Sequence, residues 1–179
     1  YDQYYLYPDY KASHLDPNFT RADEVMAGRE KRVFTECAEV IKEGKLGDKF
    51  HAISDAHAEM MIKVAEAIAY NKNDRHILIV ENNGAIANMQ DDAMVEVVCE
   101  LGLNGPRPMR VGNIPQFKLG LLVNQVSCEK LIVDAYFENS YQKALEAFTL
   151  NRLINDAKKA RKVLDALIEA NKGMWPELR

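Results

Sequence analysis

The period of the apolar positions changes twice along this chain, and the changes divide it into three stretches. Residues 1–10, YDQYYLYPDY, are predicted extended, because aromatic side chains favour strands and Pro8 stops a helix. Residues 11–19 read as a polar loop containing Pro17. Thr20 stands three residues before Asp23, the spacing of a capping box, and opens a predicted helix that runs to about Lys42. Its apolar stripe is Val25, Val33, Phe34, Cys37, Val40 and Ile41, and Gly44 and Gly47 end it. Asp55 starts a second helix, in which Met61, Val64, Ala65 and Ile68 share one face. The period then shortens. HILIVENN (76–83) is a continuous apolar run of strand length, and MVEVVCEL (94–101) is β-branched and partly alternating. Asn104-Gly105-Pro106 marks a turn, and PMRVGNI (108–114) is the third predicted strand. From Gln116 the helical period returns, over about 116–138, 140–150 and 154–172, and Trp175 and Pro176 close the sequence. Helices, a few central strands and further helices predict an α+β lobe with a small sheet. The regular βαβαβ alternation of a Rossmann domain is missing.

Composition narrows the functional classes more than the fold. A chain of 179 residues fits one domain or one lobe, and 47% hydrophobic residues suffice for a core. The net charge of −4 argues against a nucleic-acid or anionic-membrane surface. No apolar run approaches the ~20 residues that span a bilayer. Cys37, Cys99 and Cys128 are widely spaced, odd in number and without a CxxC, which predicts a reducing, cytoplasmic setting. In that setting the acceptor-like Asn18-Phe19-Thr20 carries no meaning. The start holds Tyr1, Tyr4, Tyr5 and Tyr7 with no initiator methionine, basic region or apolar core, so it reads as a cut through a longer protein rather than a signal peptide.

The candidate chemistry is sparse. There is no GxGxxG after a strand and no P-loop. His14, His51, His57 and His76 lack metal-ligand spacing. His57 and Glu59 in DAHAE have the HxE of a zinc deaminase without its CxxC, so an ordinary helix start is the better reading. Asn82-Asn83-Gly84, after a strand, admits two readings: a ligand loop at a strand end, or a plain turn in which Gly84 supplies an unusual φ. Asp91-Asp92 offers two carboxylates to a hard cation, though exposed acids before a strand are more often solvated. A tyrosine hydroxyl, with a pKa near ~10, is a useful base only beside a cation. Arg21 follows Tyr1 by twenty residues, a spacing that by itself does not bring them together.

Taken in order, YDQYYLYPD, NFTRADEVMAGRE, AIAYN, ENNGAIANMQDDAMVEV, NGPRPMRVGNIPQF, QVSCEKLIVDA and EANKGMWPEL resemble the C-terminal half of glycoside hydrolase family 4. IPQFKLGLLVNQVSCEKL and NKGMWPEL resemble its 6-phospho-α-glucosidase branch, also called maltose-6'-phosphate glucosidases, rather than its 6-phospho-β-glucosidases. The resemblance implies a lactate dehydrogenase C-terminal-domain-like fold over 1–179, with a small mixed sheet and long helices. It also implies a separate N-terminal Rossmann half, a homo-oligomer, and NAD and Mn2+ as cofactors. The family departs from two-carboxylate hydrolysis. NAD removes hydride from C3 of the sugar, a tyrosine takes the acidified C2 proton, the C1–oxygen bond breaks by elimination, and water and hydride then add back. The resemblance assigns the base to Tyr1 and substrate binding to Arg21, on a phosphorylated disaccharide such as maltose 6'-phosphate. It assigns no metal ligand to this stretch, and the NAD motif, metal ligands and general acid belong to the other half. Upstream sequence would separate this enzyme from a non-catalytic sugar-phosphate-sensing module.

Overall fold

The computed structural model describes residues 2–45, 56–154 and 156–179, with backbone alone for Asp2 and Gln3. Ten elements follow in order: α1 (Asp2–Leu6), α2 (Pro8–Ser13), α3 (Arg21–Glu43), α4 (Ala56–Ala69), β1 (Asp74–Glu81), β2 (Met94–Gly102), β3 (Gly105–Pro108), α5 (Gln116–Glu138), α6 (Tyr141–Leu150) and α7 (Ala157–Ala170). The α+β class is as predicted. The three strands form an antiparallel sheet in the order β1-β2-β3, and a parallel bridge joins Ile86 to Gly112 beside it. The chain divides into two compact units, one of residues 1–9, 77–97 and 108–179 and the other of 10–76 and 98–107.

In the first unit the core lies among the last three helices. α5 ends on Asn139 in the left-handed region, and Ser140 then caps α6 by accepting from Lys143 N at 3.3 Å. So tight a connection turns α6 back against α5, where Ala135, Ala144 and Leu164 are buried beneath Leu145, Phe148 and Ile168. Asp156 caps α7, accepting from Lys159 N at 2.8 Å. The C-terminal segment closes over these helices, since Arg179 N donates to Asn139 O at 2.7 Å and Tyr141 N to Arg179 O at 2.9 Å.

In the second unit α3 begins and ends as its sequence prescribes. Thr20 and Asp23 form the reciprocal capping box, and Gly44 stops the helix at φ +66° with its N–H on Val40 O at 2.9 Å. The expected apolar stripe, however, is only partly covered: Val25, Val33 and Val40 are half-buried, Phe34 and Cys37 are exposed, no residue of α3 is buried, and Ile41 is 83% exposed. On α4 the buried residue is Ala67, not Met61, Ala65 or Ile68, and only Val64 of the predicted face is half-buried. Asp55 and Gly47 lie outside the described residues.

Three strand expectations also need correction. Residues 2–13 are two short helices instead of an extended segment. Pro8 begins α2, at the first helical position where its missing N–H leaves no gap, with Asp9 favourably placed at the positive end of the helix. The run 76–80 is not buried on both sides: His76, Leu78 and Val80 are half-buried, while Ile77 and Ile79 are exposed. In β2 the same alternation buries Val95, Val97, Cys99 and Leu101. The third strand is Gly105–Pro108 and not 108–114. The turn falls on Leu103-Asn104, and Gly105 at φ +86° turns the chain back. Pro106 and Pro108, which cannot donate, are tolerated because β3 is an edge strand.

Candidate functional site

The polar loop between β1 and β2, residues 82–93, answers the question posed by Asn82-Asn83-Gly84. Asn82 is completely buried. Its Nδ2 donates to the carbonyls of Ile86, Met89 and Gln90 at 3.0, 3.3 and 3.0 Å, and its Oδ1 accepts from Ile86 N at 2.7 Å. Its backbone N–H reaches Ala93 O at 2.8 Å. Every polar group of this side chain is thus engaged in holding the loop, and none is left for a ligand. Asn88 acts likewise across to the segment before α5, donating to Ile114 O and accepting from Ile114 N, both at 3.0 Å. Gly84 takes φ +76° beside Arg110, whose exposed guanidinium would lie 3.8 Å from a Cβ placed there. Gly84 thus supplies the unusual φ of the turn reading, and Asn88 is the partner that sequence reasoning overlooked. The signal was present in the repetition of asparagine within ENNGAIAN.

Arg21 is the first residue of α3, held there by the Thr20–Asp23 box. Its Nη1 makes an exposed ion pair with Glu24 at 2.5 Å. The bonds from Thr20 to Asp23 hold the Asp23 carboxyl below its ordinary range. A cation at a helix start meets the positive end of the helix dipole, and the neighbouring acids offset this. Arg21 is thus an accessible guanidinium at the start of α3, paired with Glu24. Tyr1 lies outside the described residues. The helix that follows it, α1, is tied to a distant part of its own unit, where Arg152 Nε donates to Tyr5 O at 3.0 Å. Tyr4 and Tyr7 are exposed and Tyr5 is half-buried.

The remaining candidates resolve into structure. Glu59 pairs with Lys63 at 2.5 Å, one turn on, as in an ordinary helix start. Asp92 pairs with Lys130 at 2.6 Å, which holds its carboxyl below the usual range. Among the described residues no group of three or more His, Cys, Asp or Glu is arranged to hold a metal ion. Cys99 and Cys128 are buried and Cys37 is exposed, and none of the three is in a disulfide. Burial pushes the thiols of Cys99 and Cys128 up, the opposite of an activated nucleophile. No helix among the described residues is long and apolar enough to cross a membrane. A cavity of about 360 Å³ opens between α5, α6, α7 and the C-terminal segment, lined by Ile132, Tyr136, Phe148, Leu164 and Trp175 among others. No charged side chain lines it, so it is not built to recognise a phosphate.

Comparison with known proteins places this geometry among relatives. Residues 1–154 match the family described as the family 4 glycosyl hydrolase C-terminal domain. The maltose-6'-phosphate glucosidase MalH of Clostridium acetobutylicum is 50% identical over 179 residues, which cover 99% of this chain and 40% of that protein. A 6-phospho-alpha-glucosidase from gut microorganisms, solved in complex with NAD and Mn2+, is 80% identical with a TM-score of 0.91, over 99% of this chain and 40% of that one. The 6-phospho-beta-glucosidase BglT of Thermotoga maritima is 28% identical over 96% of this chain and 41% of its own length. The chain thus spans about two fifths of the length of the curated relatives it matches.

Proposed function

Since the chain belongs to the family 4 glycosyl hydrolases, as a C-terminal domain, we propose that it is the substrate lobe of an NAD- and Mn2+-dependent 6-phospho-α-glucosidase. The whole enzyme hydrolyses phosphorylated disaccharides such as maltose 6'-phosphate. The observation that carries this reading is the 80% identity to an α-specific enzyme over nearly the whole chain, against 28% to a β-specific one. The described residues contain no metal-ligand cluster, so they do not fit Mn2+ by themselves. Both cofactors are assigned to an N-terminal Rossmann half joined to this lobe. A cytoplasmic setting accords with three cysteines that form no disulfide. A homo-oligomer accords with α5, on which Leu122, Ile132 and Phe137 are exposed and Leu121, Val126 and Leu131 only half-buried.

This lobe contributes the proton transfer. Tyr1 accepts the proton from C2 of the sugar, and Arg21, a cation always charged at working pH, binds the substrate. In the complete enzyme, Tyr1→Phe keeps the ring and removes the acceptor. The expected loss in kcat is ~10²–10⁴-fold with KM nearly unchanged, and exchange of the C2 hydrogen with solvent deuterium stops. Arg21→Ala raises KM as well as lowering kcat. Turnover of a chromogenic 6-phospho-β-glucoside in preference to the α-anomer would overturn the substrate assignment. Full kcat and exchange in Tyr1→Phe would overturn the base.

A further inference from the structure

We propose that strand β1 is a self-pairing edge: in the complete enzyme it joins β1 of a second copy, antiparallel, about a two-fold axis at Leu78. This pairing rests on the reading of the enzyme as a homo-oligomer and uses a surface apart from α5. The two edges of the sheet are built differently. β3, at one edge, has four residues and two prolines, which blunt it against a further strand. β1, at the other, has eight residues without proline, glycine or lysine. Asn82 N–H donates to Ala93 O at 2.8 Å, which sets the register with β2. His76, Leu78 and Val80 therefore turn their N–H and C=O groups towards Cys99, Val97 and Val95. Those of Arg75, Ile77, Ile79 and Glu81 point the other way, where no strand lies among the described residues. All four side chains are exposed, Ile77 by 58% and Ile79 by 68%. Apolar side chains beside unpaired backbone groups are what an edge that stays bare avoids.

The order of these four residues selects the occupant. Pairing about Leu78 sets Ile77 opposite Ile79 of the second copy, and Arg75 opposite Glu81 of the second copy, each twice by symmetry. The outward backbone groups then meet as hydrogen-bonded pairs, with Leu78 at the unbonded centre. An axis at Ile77 would set Arg75 against Ile79, and one at Ile79 would set Glu81 against Ile77, so the axis at Leu78 is the register that matches both charge and apolar contact. The two charges are available for it. Glu100 takes Arg107 as its ion-pair partner, with Arg75 only a lesser influence on its carboxyl. Glu81 accepts from Asn83 Nδ2 at 3.1 Å and has no cation partner among the described residues.

The test follows association of the complete enzyme by sedimentation over a dilution series. Arg75→Glu and Glu81→Arg each set like charges against one another, and each should raise the dissociation constant about tenfold. Combining Arg75→Glu with Glu81→Arg should return it to within about threefold of wild type. Six positions along a strand span about 20 Å, so this rescue cannot arise within one copy. Leu78→Cys should form a disulfide-linked dimer on mild oxidation, joined through the two β1 peptides by mass spectrometry, because unbonded partners lie about 4.5 Å apart between Cα atoms. A monomeric wild type overturns the homo-oligomer reading and this pairing with it. An oligomer that neither charge reversal weakens overturns the pairing alone. Weakening without rescue in the combined variant assigns β1 to another cover, such as the N-terminal half, and overturns the pairing. So does a folded Leu78→Cys variant that gives no such cross-link.

Discussion

Replacing Asn82 tests the strongest local argument in the structure. The side chain is fully buried and makes four hydrogen bonds, three donated by Nδ2 and one accepted by Oδ1. Asn82→Ala leaves Ile86 N–H buried without its partner, at about 1–3 kcal/mol. It also removes a donor from three carbonyls and opens an amide-sized void, worth roughly 1–2 kcal/mol more. The sum, about 2–5 kcal/mol, reaches the severe end for one substitution. Asn82→Asp keeps the shape and the Oδ1 acceptor, but its second oxygen now faces the three carbonyls. Burial and these acceptors disfavour the charged form, so the folded pKa of the new carboxyl rises above its unfolded value. Relative to wild type, the variant is therefore least stable above that folded pKa and recovers as pH falls through it, because protonation restores a donor. Urea titration of both variants against wild type, at about pH 7 and about pH 5, measures this. A cost below about 0.5 kcal/mol for Asn82→Ala would refute the reasoning. So would an Asn82→Asp variant that loses further ground to wild type on acidification.

Gly102→Ala would place a Cβ 2.7 Å from the Oδ1 atoms of both Asn71 and Asn73. Both asparagines have positive φ, and Asn71 Oδ1 also accepts from Leu103 N, so they cannot yield freely; we expect a loss of about 1–3 kcal/mol by urea titration. Asp23 is held below its ordinary value of 3.8, so its cap contributes fully above that value and is lost as pH falls through the folded pKa. Protection factors in the first turn of α3 should thus fall in acid in wild type, whereas an Asp23→Asn variant should show no such acid dependence. For assembly, Phe137→Glu combined with Leu122→Glu should shift the complete enzyme to a smaller species by light scattering, since both side chains are exposed on α5. A monomeric wild type would end that proposal.

What the sequence determined by itself is local. The capping box at Thr20, the left-handed glycine at Gly44 and the helical period beyond Gln116 each act within one or two turns, so α3, α5, α6 and α7 were legible within a few residues. The α+β class followed from the order of those periods. The family motifs supplied Tyr1 and Arg21 as expectations; the structure shows Arg21 accessible at the start of α3, and Tyr1 lies outside the described residues. What only the tertiary structure decided depends on partners far apart in the chain. The start is helical because Pro8 and Asp9 suit a helix N-terminus and Arg152 caps α1 from 147 positions away, a pairing no local window contains. Ile77 and Ile79 are as apolar as Leu78, yet they are exposed because burial is set by which face of β1 has a neighbour. β3 precedes its predicted place because Gly112 at φ +79° interrupts the extended run and Asn88 clamps Ile114, 26 positions away. Asn82 reads as a turn residue in sequence, and only the folding of its own loop around it turns its amide into the centre of that loop.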